Sequence, residues 1–285
     1  MAATAKTIWS GKLGKLDLGI VLYQGIYHSK ADGKVVAQAA SEDEAKRLLY
    51  AEVGKLGLKY FGFDGAKQRF ESFFPDGFHS LRYDKAERNY KVAAKVELDA
   101  NVPLEVAASG HGDGRAVTNA ISHLNLLQPR FEAPRFSEML QSSCGHAFLA
   151  SVARFTMKPS QQELSTLTQL LKPYPMLRWA AVTLLPFLWR PDEHLFLKPE
   201  ITKDFAERVG HPYAHIYEPS LSLSVYDSLI DLGRVTKEKL VAMAPRDGID
   251  VQSFIFVVGG YSDRDRTSQL EFGSYEKAYP NLQNR

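Results

Sequence analysis

The chain of 285 residues has a single cysteine, Cys144. An intrachain disulfide framework and a cysteine-built zinc cage are both excluded. Its first fifteen residues, MAATAKTIWSGKLGK, contain no apolar core of signal-peptide length. The most apolar window, Trp179 to Trp189, is interrupted by Pro186 and is far shorter than a membrane span. Together these absences point to the cytoplasm and to no membrane partner. Neither G-x-S-x-G nor H-E-x-x-H occurs, and no P-loop or dinucleotide fingerprint is present. No internal repeat and no low-complexity tract breaks the chain. The formal charge is only +2. That total neither demands nor excludes a nucleic acid, because the distribution of charge matters more than its sum.

What is present is ordinary globular material: 45% apolar and 24% charged residues. This composition can bury a core and rules out disorder of the whole chain. Residues 18–28 are rich in β-branched and aromatic types. A turn signal at Ala31-Asp32-Gly33-Lys34 and a returning strand at 35–39 complete one predicted hairpin. Ser41 with Glu44 forms a capping box for the helix that follows. One hairpin packed on one helix gives a small α+β unit over residues 1–60.

From Asp64 onward the pattern is helical. Asp64 is expected to cap a helix ended by Pro75-Asp76-Gly77, and a second helix spans 83–96. Residues 115–127 are amphipathic. Helical pieces are predicted at 136–156 and 160–171, the latter opened by a Ser160/Glu163 capping box. Prolines concentrate between Lys158 and Pro219 and cut that stretch into short elements. Leu177–Leu188 is apolar on nearly every side and reads as a buried helix. Ile201–Val209 is a helix closed by Gly210. Further helices are predicted at 221–232, at 237–243 after a Thr236 cap, and at 249–258 after Asp247-Gly248. The fold class is therefore mainly α: a small N-terminal α+β unit, a helical domain over 61–260, and a polar tail over 261–285.

Three patterns carry candidate chemistry. The loop 190–199 holds Asp192, Glu193, His194 and Lys198 between Pro191 and Pro199. A carboxylate, an imidazole and an amine on a stiff loop at a helix end can do acid–base work; a structural corner, with Asp192 as a helix cap, is the competing reading. Arg88, Lys91 and Lys95 recur at helical spacing with Tyr90 among them. Such a stripe can neutralise phosphates while the aromatic stacks, or it can be a solvated face. Phe73-Phe74-Pro75-Asp76-Gly77-Phe78 is read as an aromatic anchor in the core. His111-Gly112-Asp113-Gly114 is read as a simple turn, and Cys144 as a small buried residue. His211 and His215 are separated by Pro212, so a metal pair is not expected, nor is any cofactor.

In outline, residues 177–258 resemble the helix-hairpin-helix DNA glycosylases. The apolar helix LRWAAVTLLPFL, the loop with Asp192 and His194, and the short helix ending Glu207-Arg208-Val209-Gly210 carry the likeness. Lys172-Pro173-Tyr174-Pro175-Met176 stands where that family has its glycine-rich hairpin. The resemblance implies that Asp192 is the catalytic aspartate. The segments Phe73–Phe78, Glu87–Lys91, Phe196–Pro199 and Ile249–Phe254 also resemble an uncharacterised bacterial family, which supplies no activity. The sequence thus points to a nucleic-acid-interacting protein with DNA as partner, in its sharpest form a base-excising hydrolase. In that form Asp192 stabilises a cationic sugar, and Arg88, Lys91 and Lys95 hold phosphates. The alternative is a non-enzymatic subunit of a bacterial defence or regulatory complex that uses a protein partner.

Overall fold

The computed structural model describes residues 5–13, 16–55, 60–175 and 177–262. Four antiparallel strands open the chain in the order β1-β2-β3-β4: β1 Lys6–Leu13, β2 Leu16–Tyr23, β3 Ile26–Ala31 and β4 Lys34–Ala39. The single predicted hairpin is therefore corrected to a four-stranded meander. Residues 18–28 do not form one strand, because Gln24 (φ 51°) and Gly25 (φ 79°) make a tight turn within them. Asp32 (φ 48°) and Gly33 (φ 76°) make the next one. Positive φ at both central residues matches the right-handed twist of the flanking strands.

Helix α1, Glu42–Lys55, lies on one face of this sheet. Ser41 opens it, its Oγ accepting from the N–H of Glu44 as expected. Leu18, Ile20, Ala31 and Ala39 from the strands meet Ala45, Leu49 and Val53 of α1 and Phe61 in a small core of their own. Ser29 faces the same way and donates to the carbonyl of Ala45 across 2.7 Å.

The helical body begins with α2, Gly62–Phe73, and the single turn α3, Leu81–Tyr83. Residues 84–88 form a π-turn, in which the N–H of Asn89 reaches the carbonyl of Asp84, and lead into α4, Asn89–Asn101. A single turn α5, Leu104–Val106, and α6, Gly114–Ala120, follow. Then come α7, Glu132–Gln141, α8, Gly145–Met157, α9, Gln161–Leu170, and α10, Trp179–Trp189. The last described elements are α11, Pro199–Val209, the short α12, Tyr213–Ile216, α13, Leu223–Lys239, and α14, Gly248–Gly260.

Every residue of α10 is buried, as its uniform apolarity predicts, and α14 is buried along most of its length. These two helices and α8 supply much of the main core, with Phe70, Phe73, Phe74 and Phe78 packed into it. Several predicted boundaries move. Asp64 lies inside the first turn of α2 rather than capping it. The helix expected over 136–156 is two helices, α7 and α8. Thr236 is a buried residue within α13, its hydroxyl donating to the Leu232 carbonyl 2.7 Å away, so the helix continues through the expected cap. Ser160 and Gly210 act as predicted: Ser160 accepts from the Glu163 N–H, and Gly210 ends α11 at φ 72°. The polar tail from Asp263 on lies outside the described residues.

Candidate functional site

The loop after α10 is fixed by close packing against α14. A Cβ on Gly248 would stand 1.7 Å from the carbonyl oxygen of Pro191, so only glycine lets the first turn of α14 press against the loop. Asp247 caps α14, its Oδ1 accepting from the N–H groups of Ile249 and Asp250 at 3.0 and 3.3 Å.

The three candidate residues of this loop point in three directions. Asp192 is exposed and accepts from the Nζ of Lys237 on α13 at 2.7 Å. Its partner is thus a side chain, and the capping alternative does not describe it. His194 turns inward and is 5% exposed. Its Nε2 donates to the Thr156 carbonyl at the end of α8 across 3.0 Å, which leaves Nδ1 to accept from the hydroxyl of Tyr226. Burial pushes the imidazole down to about 4, against the opposing pull of the Thr156 carbonyl and Glu193. The ring is a neutral tie between the loop, α8 and α13. Lys198 stands before α11, half-buried, with its ammonium 5.2 Å from the centroid of Phe256. Burial lowers its affinity for a proton, offset in part by Glu132 and Glu87. Asp192 and His194 line one cleft, but the His194 ring turns away into the core and Lys198 is not part of that lining, so the three do not converge on one reacting centre.

Asp192 does open onto a cleft of about 380 Å³ between the loop and helices α13 and α14. Leu195, Ile230, Gly233 and Val251 form an apolar floor; Asp192, Glu193, Arg234 and Lys237 carry the charge around it. Arg234 also pairs with Asp231 and Glu238 at 2.7 and 2.6 Å. Sequence reasoning missed Arg234 and Lys237. Lys237 is 45 residues from Asp192 in the chain, and only the packing of α13 beside the loop brings the two together. The signal present in the sequence was two basic residues, Arg234 between two predicted helices and Lys237 at the start of the second, without any indication of what they face.

The predicted basic face on α4 is an internal ionic network instead. Arg88 is bidentate to Asp247 at 2.6 and 2.7 Å and reaches Asp250 at 2.8 Å. Lys91 is fully buried between Glu87 at 2.7 Å and Ser253 at 2.8 Å. Tyr90 donates to Glu87 across 3.4 Å, and burial raises its phenol. Lys95 spans Asp99 at 2.7 Å and the Trp189 carbonyl at 3.0 Å. The expectation of a solvent-facing phosphate stripe is thus corrected for Arg88 and Lys91. The π-turn at 84–88 sets Glu87 and Arg88 toward α14, where buried Asp250 also receives Tyr83 at 2.8 Å and Arg246 at 3.1 Å. Burial opposes ionisation of Asp247, but Arg88 and two backbone N–H groups outweigh it and hold the carboxyl below its usual range. Desolvation lowers Lys91 despite Glu87 beside it.

Among the described residues, the connection between α9 and α10 offers little backbone to an anion. Pro173 and Pro175 have no N–H, and the N–H groups of Lys172, Tyr174 and Leu177 are spent on Gln169, Leu171 and Tyr174 carbonyls. Among the described residues no group of three or more His, Cys, Asp or Glu side chains is placed to hold a metal ion. No helix among them is long and apolar enough to cross a membrane. Compared with protein-family models, curated proteins and solved structures, the chain matches none.

Proposed function

We propose that the chain interacts with nucleic acid and receives an unpaired nucleobase in the cleft beside Asp192. One observation carries this reading: an apolar-floored cleft of about 380 Å³ is lined by two carboxylates, a guanidinium and an ammonium. Pockets of this size, apolar with a few convergent polar groups, are the usual form of a small-ligand site, and a single nucleobase is a ligand of that class. Arg234 and Lys237 supply the phosphate contacts in place of the α4 stripe. The Lys237–Asp192 ion pair is exposed and contributes under about 1 kcal/mol, so a backbone phosphate can take over the ammonium at little cost. That exchange uncovers the carboxylate beside the bound nucleotide. In the base-excising form of the proposal, Asp192 then stabilises the cationic sugar as the C1′–N bond breaks; water adds to C1′, and one of its protons ends on the departing base. The base must be out of its stack to enter.

The test is an anisotropy titration of a labelled single-stranded oligonucleotide over a range of salt, with base release measured alongside. Arg234→Ala combined with Lys237→Ala should flatten the slope of log affinity against log salt by about 1.4, since each phosphate no longer neutralised removes roughly 0.7. Asp192→Asn should keep the fold and the binding and lose base release. An unchanged slope in the double variant removes the cleft as the binding site, and full base release by Asp192→Asn removes its catalytic role. The interaction-subunit reading draws on a different surface. Leu81 and Val241 are 74% and 72% exposed, on segments joined by a 2.9 Å hydrogen bond between His79 Nε2 and the Ala244 carbonyl. Capture of a protein partner that Leu81→Asp abolishes, with no oligonucleotide binding, is the result that favours it.

A further inference from the structure

Among the described residues, the second face of the N-terminal sheet is left exposed. Helix α1 packs on the face that carries Leu18, Ile20 and Ser29. Strand register places the opposite set together. Val21 stands beside Thr7 and His28, and His28 beside Gln38. Gly19 stands beside Ser10 and Lys30, Lys30 beside Val35, and Tyr23 beside Ile26. Tyr23, Ile26 and Val35 are 38%, 44% and 48% exposed, well above what a covered sheet face shows. The rings of Tyr23 and His28 are neighbours on this face, with centroids 6.3 Å apart.

Charge favours an anion there. On the open face itself the register places Lys12, Lys30 and one aspartate, Asp17, a net of +1, while Lys6 and Lys34 stand beside Leu22 and Ala31 on the α1 face. Asp17 and Asp32 are both engaged locally. Asp17 pairs with Lys12 at 3.4 Å, and Asp32 Oδ1 accepts from the Asp17 N–H at 2.9 Å. Lys30 lies on the open face beside Gly19 and Val35, neither of which can neutralise it.

We infer that this open sheet face is a binding platform for single-stranded nucleic acid, with two bases stacked on Tyr23 and His28 and the backbone neutralised by Lys12 and Lys30. This inference rests on the nucleic-acid reading above and adds a second site on a different unit of the chain. Two adjacent ring faces on a pleated surface accept any base, because every base has a π-face, and lysines at the margin follow the phosphates. Gly19, in the row of Lys30, leaves the surface low where a base must lie flat. An acidic membrane would use the same charge. It would not need two rings side by side within one strand pair.

The experiment uses the full chain and a fluorescein-labelled oligothymidylate. Tyr23→Ala with His28→Ala should weaken binding by about tenfold or more, since removing a base stack typically costs that much. Lys12→Gln with Lys30→Gln should flatten the salt slope by about 1.4. Both pairs are on the open face, and a thermal melt matching the parent checks that the fold is kept. The two sites separate cleanly. Weakened binding in the sheet variants alone supports the platform and fails the cleft. Weakened binding in the Arg234/Lys237 variant alone overturns the platform and leaves the cleft reading standing. Weakening in both sets supports both sites. No oligonucleotide binding by the parent overturns both. Binding to vesicles of phosphatidylserine and phosphatidylcholine that the sheet variants abolish, without oligonucleotide binding, assigns the face to a membrane surface and overturns the platform.

Discussion

Lowering the pH from 7.5 to 5 should destabilise the protein through His194 in particular. Burial pushes this imidazole down to about 4 in the folded state, while an unfolded histidine titrates near about 6.5. Between those two values the unfolded chain binds a proton and the folded one does not. Stability from this group is fully present above about 6.5 and falls away as the pH drops toward the folded value. At about 1.36 kcal/mol per unit, the difference approaches about 3 kcal/mol in full and about 2 kcal/mol at pH 5. The structural reason is the pair of hydrogen bonds. With Nε2 already donating to Thr156, a proton on Nδ1 would meet the Tyr226 hydroxyl as a donor facing a donor until that hydroxyl turned. Denaturant unfolding of the parent and of His194→Gln at a series of pH values isolates the effect, because both share every other titrating group. The parent's advantage over the variant should shrink by about 2 kcal/mol between pH 7.5 and 5. An advantage that stays constant across that range would refute the buried neutral imidazole.

Arg88→Ala removes the fork that holds Asp247 and part of what neutralises buried Asp250. It should cost about 3 kcal/mol, read as a drop of several degrees in Tm; Arg88→Lys should not restore it, because an ammonium cannot make the bidentate contact. A Tm within a degree of the parent would return Arg88 to the surface. Gly248→Ala should destabilise strongly and displace the 190–197 loop, since its Cβ overlaps the Pro191 carbonyl; hydrogen exchange should quicken first in that loop and in the first turn of α14. Leu184→Asp, in a helix with no exposed residue, should prevent stable folding, an unpaired buried charge costing several kcal/mol; a cooperative melt near the parent's would contradict the packing of α10.

The sequence by itself determined the elements whose signals are local. Uniform apolarity marked α10 as buried, capping boxes at Ser41 and Ser160 marked helix starts, and a left-handed glycine at 210 marked a helix end. These depend on backbone geometry and on contacts within one turn, so neighbours in the chain suffice to specify them. The missed turn at Gln24-Gly25 shows the limit of that rule: glutamine is not among the residues that advertise positive φ, and the flanking β-branched run hid the break. The side-chain partners were decided by tertiary structure alone. Arg88, Lys91 and Lys95 have the spacing of an exposed basic stripe, and the same spacing serves a helix that turns Arg88 and Lys91 inward against α14. Nothing in residues 82–95 records that Asp247 and Asp250 lie opposite. Likewise Asp192, His194 and Lys198 are close in sequence yet face a cleft, a core and an aromatic ring, because the chain there turns too sharply to hold them on one side. The cleft beside Asp192 owes its two cations to α13, whose Lys237 lies 45 residues further on, and the open sheet face owes its composition to strand register. Both are products of packing, which no spacing in the chain encodes.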